Sequence, residues 1–116
     1  MESGLHITSP RGRISIAGKA VAQIVGHTAA ECYGVVGMDG SRVGRLISRA
    51  SPTQGVEVRS GRDGLEIGLH VIVEYGLNLA EVASTLRSRV AYEVERLTGL
   101  DVAAVEVHIA DVRRSA

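Results

Sequence analysis

The chain has 116 residues, of which 45% are apolar and 22% charged, so it is long enough for one globular domain with its own core. Thirteen basic and thirteen acidic side chains cancel, which argues against a protein that neutralises phosphate backbone over its whole surface. With three Tyr, no Trp and no Phe, the chain has little material for a stacking platform for bases or sugars.

The first third of the chain predicts a strand, a helix and a second strand. Ile14 and Ile16 alternate with polar neighbours, which indicates a short strand. From about residue 18 to residue 33, apolar residues recur every three or four positions, as is typical of a helix with one buried face. Gly34 is placed to end this helix, and a short strand follows from Val35.

A weaker amphipathic pattern covers Ser41 to Ala50, where Gly44 weakens the predicted helix and Pro52 ends it. On such a helix three arginines would form one basic stripe, able to dock an acidic partner or an anionic lipid surface. The alternative is a solvated face with no binding role. The pattern is too short for a membrane anchor and has no aromatic residue to seat at the interface. The arginine stripe consists of Arg42, Arg45 and Arg49.

Residues 56 to 75 predict a β-hairpin. Two runs of alternating residues, beginning at Val56 and at Leu65, are joined by a five-residue connector that contains Asp-Gly. Within it, Gly61-Arg62-Asp63-Gly64 also matches the GXXG loop that clamps nucleic-acid backbone in KH domains. That loop joins two helices, whereas strand-like runs flank this one, and Asp63 would repel phosphate. We therefore interpret the connector as a hairpin turn.

Asn78 to Leu97 is the clearest predicted helix, because apolar residues form a continuous stripe along it. Its first residue and Glu81 have the spacing of a capping box, and Gly99 is placed to stop the helix. A last strand follows from Val105 to Ile109, and Asp111 to Ala116 is predicted to be a polar tail. The apolar stripe comprises Leu79, Val82, Ala83, Leu86, Val90, Val94 and Leu97.

These elements predict the fold class. Two helices with one apolar face each need one sheet to cover, and strands with clean alternation leave the other sheet face in water. The sequence therefore predicts an α+β fold, a two-layer sandwich with a mostly antiparallel sheet and two main helices on one face. We expect a flexible leader over residues 1–11, a single domain over residues 12–113 and a tail over residues 114–116.

No catalytic, cofactor-binding or metal site is predicted. Of four histidines, His70 and His108 would meet if their strands are neighbours, but one such pair without a thiolate or fixed carboxylate is a poor metal site. Cys32 lies on the apolar face of its helix, near the C-terminal end, where we expect a buried structural thiol. Neither a Gly-rich phosphate cradle nor a nucleophile motif occurs.

Short motifs occur in a fixed order along most of the chain. None of them is specific by itself: Gly12-Arg13-Ile14-Ser15-Ile16-Ala17, Gly34-Val35, Gly37-Met38, Gly55-Val56-Glu57-Val58, Tyr75-Gly76, Leu97-Thr98-Gly99-Leu100 and Val105-Glu106-Val107-His108-Ile109. As an ordered set they resemble the alkaline shock protein 23 family over about residues 12 to 113. The chain departs from the family pattern at Gly18-Lys19 and Cys32-Tyr33, and the arginine stripe lies in a segment that varies.

The resemblance implies a small bacterial cytoplasmic protein of the envelope and alkaline stress response, with no established catalytic activity. Several members are held at the inner membrane face by a separate anchoring protein. The resemblance therefore implies a membrane-anchored protein and copies of the chain itself as partners, and a location in the cytoplasm or at the periphery of the inner membrane. We expect no cofactor, no nucleic acid and no direct membrane insertion.

Two other functions stay open. A small nucleic-acid-binding module is favoured by the GXXG-like loop and the arginines, and it would show salt-sensitive binding to oligonucleotides. A regulatory subunit of a metabolic enzyme would co-purify with one defined complex. An enzyme would need a deep pocket that holds His70 or His108 beside a carboxylate. The single cysteine and the lack of a signal-peptide pattern in Met1 to Pro10 fit the cytoplasm.

Overall fold

The structure is a computed structural model, and it describes residues 16–39 and 54–114. The described residues form two helices and four strands, which confirms the predicted α+β class. The predicted weak helix with the arginine stripe lies outside them. In chain order the elements are α1 (Ile16–Glu31), β1 (Val35–Met38), β2 (Val56–Gly61), β3 (Gly64–Glu74), α2 (Leu79–Thr98) and β4 (Val102–Arg113).

β3 is the central strand of the described sheet. β1 and β2 pair with one of its edges in antiparallel orientation, and β4 pairs with it in parallel orientation. Two of the three pairings are antiparallel, so the prediction of a mostly antiparallel sheet is confirmed. A parallel neighbour needs a crossover connection, and α2 provides it between β3 and β4.

The core lies between the sheet and both helices. Every second side chain of β3 points into it and is at most 5% exposed: Leu65, Ile67, Leu69, Val71 and Val73. Each such burial contributes about 1.5–3 kcal/mol relative to exposure. The most buried residues facing them are Val21, Val25 and Ala29 on α1 and Val82, Leu86, Val90 and Val94 on α2. The two-layer sandwich is therefore confirmed.

α1 begins at Ile16, so the predicted strand is wrong at this residue, and Ile14 lies outside the described residues. One polar residue between two apolar residues is too short a pattern to distinguish a strand from the first turn of a helix. The helix ends at Glu31, earlier than the predicted Tyr33. Gly34 has a left-handed backbone (φ +92°) in the turn that leads into β1, so it serves the turn after the helix.

α2 has the predicted caps. The Asn78 side chain accepts a hydrogen bond from the Glu81 backbone N–H at 3.1 Å, and Gly99 has the left-handed conformation of a C-terminal cap. The apolar stripe is confirmed at its four buried positions. Leu79 and Leu97, at its two ends, are 38% and 54% exposed, so the apolar stripe extends beyond the core at both ends of the helix. Apolar periodicity indicates which face of a helix is buried, but not how far along the helix the sheet covers that face.

β4 is longer than the predicted strand at both ends. The polar tail predicted from Asp111 is wrong as far as Arg113, because these residues still pair with β3. The register between β3 and β4 shifts twice, so that Ala103 and Ala110 each stand as an extra residue in β4. Such bulges change which residues of a strand face the core, and a strict count of alternation cannot anticipate them.

β1 and β2 lie end to end along one edge of β3. β1 pairs with residues 71–73 and β2 with residues 64–69, with His70 between them. The His70 carbonyl accepts a hydrogen bond from the Asp39 N–H at 2.8 Å, and the His70 N–H donates to the Gly55 carbonyl at 2.9 Å. The chain thus leaves this edge at Asp39 and returns to it at Gly55, opposite one and the same residue.

Replacing Gly55 by alanine will destabilise the fold more than replacing Gly76 by alanine. Both glycines have positive φ, so both substitutions strain the backbone by roughly 1–2 kcal/mol. A Cβ at Gly55 would also lie 3.0 Å from the His70 carbonyl oxygen, whereas no described atom lies within 4 Å of a Cβ at Gly76. We expect urea unfolding to show at least about 1 kcal/mol of additional loss for Gly55→Ala. Equal losses in the two variants would contradict the close approach of the backbone at Gly55 to the His70 carbonyl.

Replacing Asn78 by alanine will lower the free energy of unfolding by about 1 kcal/mol, because the Glu81 N–H loses its acceptor. Asn78→Asp is the matched control, since its carboxylate accepts the same hydrogen bond and also favours the helix N-terminus. Urea unfolding measures both variants. A loss of the same size in Asn78→Asp would show that the side chain does not act as a cap.

Candidate functional site

The two histidines singled out from the sequence meet on the face of the sheet away from the helices. His70 of β3 and His108 of β4 are directly paired in the parallel register. Their rings stack with centroids 4.7 Å apart and an interplanar angle of 14°. Strand alternation places both on the outer face, because their neighbours in each strand point into the core. The expectation that they meet is confirmed.

Each ring has a carboxylate near its Nε2 atom. Glu57 Oε1 lies 3.9 Å from His70 Nε2, and Glu106 Oε1 lies 3.3 Å from His108 Nε2. The His70 side chain is 12% exposed, and its Nδ1 atom is buried without a hydrogen-bond partner among the described residues. His108 is half exposed and covers one face of the His70 ring. The outer face therefore carries a compact group of two imidazoles and two carboxylates.

The stacking of the rings decides what this group can do. An imidazole binds a metal ion through a lone pair in the plane of its ring, at about 2.0–2.1 Å. Two nearly parallel rings send their lone pairs in parallel planes, so they cannot converge on one ion in this arrangement. Among residues 16–39 and 54–114, no cluster of three or more His, Cys, Asp or Glu side chains is placed to hold a metal ion.

A groove of about 530 Å³ lies between the helices, well apart from the histidine pair. His27 and Glu31 of α1 line one side, and Arg89, Glu93 and Arg96 of α2 line the other. Arg96 Nη2 contacts Glu93 Oε1 at 2.6 Å, and this hydrogen bond raises the pKa of Arg96. Charged side chains line both sides of the groove, and neither member of the histidine pair lines it.

Cys32 is buried at the end of α1, as expected. Burial raises the pKa of the Cys32 thiol from its ordinary value of 9.0. Arg89 opposes this shift and Glu31 adds to it, both by smaller amounts. A thiol held protonated in this way is a poor nucleophile. This cysteine is therefore a core residue.

The structure resolves the two interpretations of the glycine-rich connector. Gly61 and Gly64 pair with each other across the turn between β2 and β3, so the connector is a hairpin turn, as predicted. A KH-type GXXG loop would join two helices, and this one does not.

The arginine stripe lies outside the described residues. Sequence reasoning missed the two flanks of that segment, Asp39 and Gly55, which meet at His70; no local signal marks that contact.

The fold and these surfaces define a small α+β domain with a polar outer sheet face. The chain belongs to the alkaline shock protein 23 family, described by a cell envelope-related function, and the family model matches residues 6–114. The resemblance inferred from the ordered motifs is thereby confirmed.

Three similar proteins illustrate the match. YloU of Bacillus subtilis is 29% identical over 114 residues, which cover 94% of this chain and 95% of YloU. Spy1614 of Streptococcus pyogenes is 27% identical over 114 residues, covering 94% of each chain. A stress response regulator gls24 homologue of Streptococcus pyogenes is 28% identical over 107 residues, which cover 89% of this chain and 60% of that protein. No solved structure matches.

Within the described part of the chain, no helix combines the length and the apolar character needed to span a bilayer.

The free energy of unfolding will fall as the pH rises above about 9, and part of this fall will come from Cys32. Since the folded state holds the thiol proton to a higher pH than the unfolded state, the unfolded chain releases it first and gains stability. Urea unfolding from about pH 8 to about pH 10 should show a shallower decline in Cys32→Ala, by at most ~1.4 kcal/mol per pH unit. All other titrating groups are shared by the two proteins. Parallel declines would show that burial does not raise this pKa.

Proposed function

We propose that the chain is a non-enzymatic protein of the cell-envelope stress response that binds other proteins near the inner face of the membrane. Membership of a family with a cell envelope-related function supports the envelope part of this proposal. The name of the Streptococcus pyogenes relative, a stress response regulator gls24 homologue, supports the stress part. The partner we propose is a membrane-anchored protein with an acidic surface.

One observation carries the proposed mode of binding. The segment with Arg42, Arg45 and Arg49 begins after Asp39 and ends before Gly55, and both flanks bond to the backbone of His70. The sheet edge therefore holds the segment at both ends. Because the two ends of the segment are already held together, ordering it on a partner costs less conformational entropy than ordering a free segment of the same length. A segment with three arginines whose two flanks are held at one sheet edge suits binding to an acidic protein surface.

The polar groups elsewhere favour binding over catalysis. The two histidine rings stack in parallel, and the groove between the helices has Arg96 paired with Glu93. Neither arrangement presents a nucleophile beside a base, as covalent catalysis requires. The hairpin conformation of the glycine-rich connector removes one of the two features that favoured nucleic-acid binding.

Replacing Arg42, Arg45 and Arg49 together by alanine will abolish cosedimentation with membranes prepared from the native host cells. The three cations are the proposed contact with the anchored partner, so their loss removes the charge complementarity. Triple replacement of the exposed Arg62, Arg87 and Arg89 is the control, because it removes the same charge from described residues elsewhere. We expect the control to cosediment like the native chain.

Two further samples separate the partner classes. Protein-free vesicles of anionic lipid should not bind the native chain, and protease treatment of the membranes should abolish binding. Binding to the protein-free vesicles would show that the partner is the lipid surface and not a membrane-anchored protein. Nuclease-sensitive recovery of nucleic acid with the native chain, or of one metabolic enzyme complex independent of membranes, would overturn the proposal.

A further inference from the structure

β4 forms a free edge of the sheet. It pairs with β3 along one side, and no strand pairs with its other side among residues 16–39 and 54–114. With twelve residues it is the longest of the described strands. Natural proteins protect such edges with proline, lysine and other charged side chains, β-bulges or very short strands. β4 contains neither proline nor lysine, and its two bulges bound a regular stretch from Ala104 to Ile109.

The core face of β4 is incomplete. Val105, Val107 and Ile109 point to the helix side of the sheet and pack against the core, yet they are only partly buried. The equivalent residues of β3, which has neighbours on both edges, are almost completely buried. A strand added to the free edge of β4 would supply the missing neighbours.

The sequence of β4 is complementary to itself when read in the opposite direction about Val107. In an antiparallel pair of two such strands, Glu106 lies opposite His108 of the second copy, and Val105 lies opposite Ile109 of the second copy. Val107 itself lies opposite Val107 of the second copy. Core-facing side chains meet core-facing side chains, and acidic groups meet basic ones.

Neighbouring registers lack this complementarity. A centre at Glu106 places two glutamates opposite each other, and a centre at His108 does the same for two histidines. A shift that moves the pairing by one residue sets the core face of one strand against the polar face of the other. Among these registers the centre at Val107 alone places a carboxylate opposite an imidazole and keeps matching faces together.

We propose that β4 pairs with β4 of a second copy of this chain, antiparallel and with a two-fold axis at Val107. The two sheets then form one continuous sheet through an isologous contact. His108 is held outward by its stack on His70, which presents it to Glu106 of the second copy. A single strand pair is a small interface, so the dimer depends on protein concentration. This inference is independent of the proposed stress function, because the purified chain alone suffices to test it.

Disulfide trapping tests the register. In a Cys32→Ala background, Val107→Cys places two thiols directly opposite each other across the axis, within reach of a disulfide. Val105→Cys is the matched control, since the same residue in the two copies would be displaced by four positions, roughly 14 Å along the strand. We expect oxidation to link the chains through position 107 at least about tenfold faster than through position 105. Equal rates, or a higher rate at position 105, would overturn the register.

Charge reversal tests the dimer without a new covalent bond. Sedimentation velocity of the full chain over a range of concentrations should show a monomer–dimer equilibrium. Glu106→Lys should raise the dissociation constant about tenfold, because two carboxylate–imidazole contacts are lost per dimer. Adding His108→Glu should recover most of the affinity, while Glu31→Lys, the same charge change at an exposed position at the end of α1, should leave it unchanged. A monomer at every concentration, or equal effects of Glu106→Lys and Glu31→Lys, would overturn the proposal.

Discussion

The alternation of β3 is the constraint on which the rest of the structure depends. Its core-facing side chains meet both helices at once, so one strand holds the two layers together. Because it is central, both of its edges are paired, and the partners on each edge take their register from it. A slip of β3 by one residue would turn its whole apolar set toward water.

The two outer edges that result are different. On one edge, β1 and β2 act as a single strand interrupted opposite His70, where the chain leaves the sheet and returns. On the other edge, β4 runs without interruption and has a free side among the described residues. We infer a division of roles from this difference: the interrupted edge holds the two flanks of the basic segment proposed to bind a partner, and the other edge pairs with a second copy.

Local patterns predicted much of this fold. The hairpin, the caps of α2 and the meeting of His70 with His108 follow from alternation, turn residues and cap spacing. The start of α1, the bulges at Ala103 and Ala110, and the parallel placement of β4 depend on contacts between distant parts of the chain. The contact of the two segment flanks with the His70 backbone belongs to the same class. The arginine stripe remains a prediction from spacing, because it lies outside the described residues.

Hydrogen–deuterium exchange at several protein concentrations tests most directly whether the free edge of β4 pairs with a second copy of the chain. Amides of β3 are bonded within one molecule, so their slow exchange should not change with concentration. The outward-facing amides of β4 should become protected as concentration rises, with the largest change around Val107. Exchange in β4 that stays fast and independent of concentration would contradict the account and leave this edge without a partner copy.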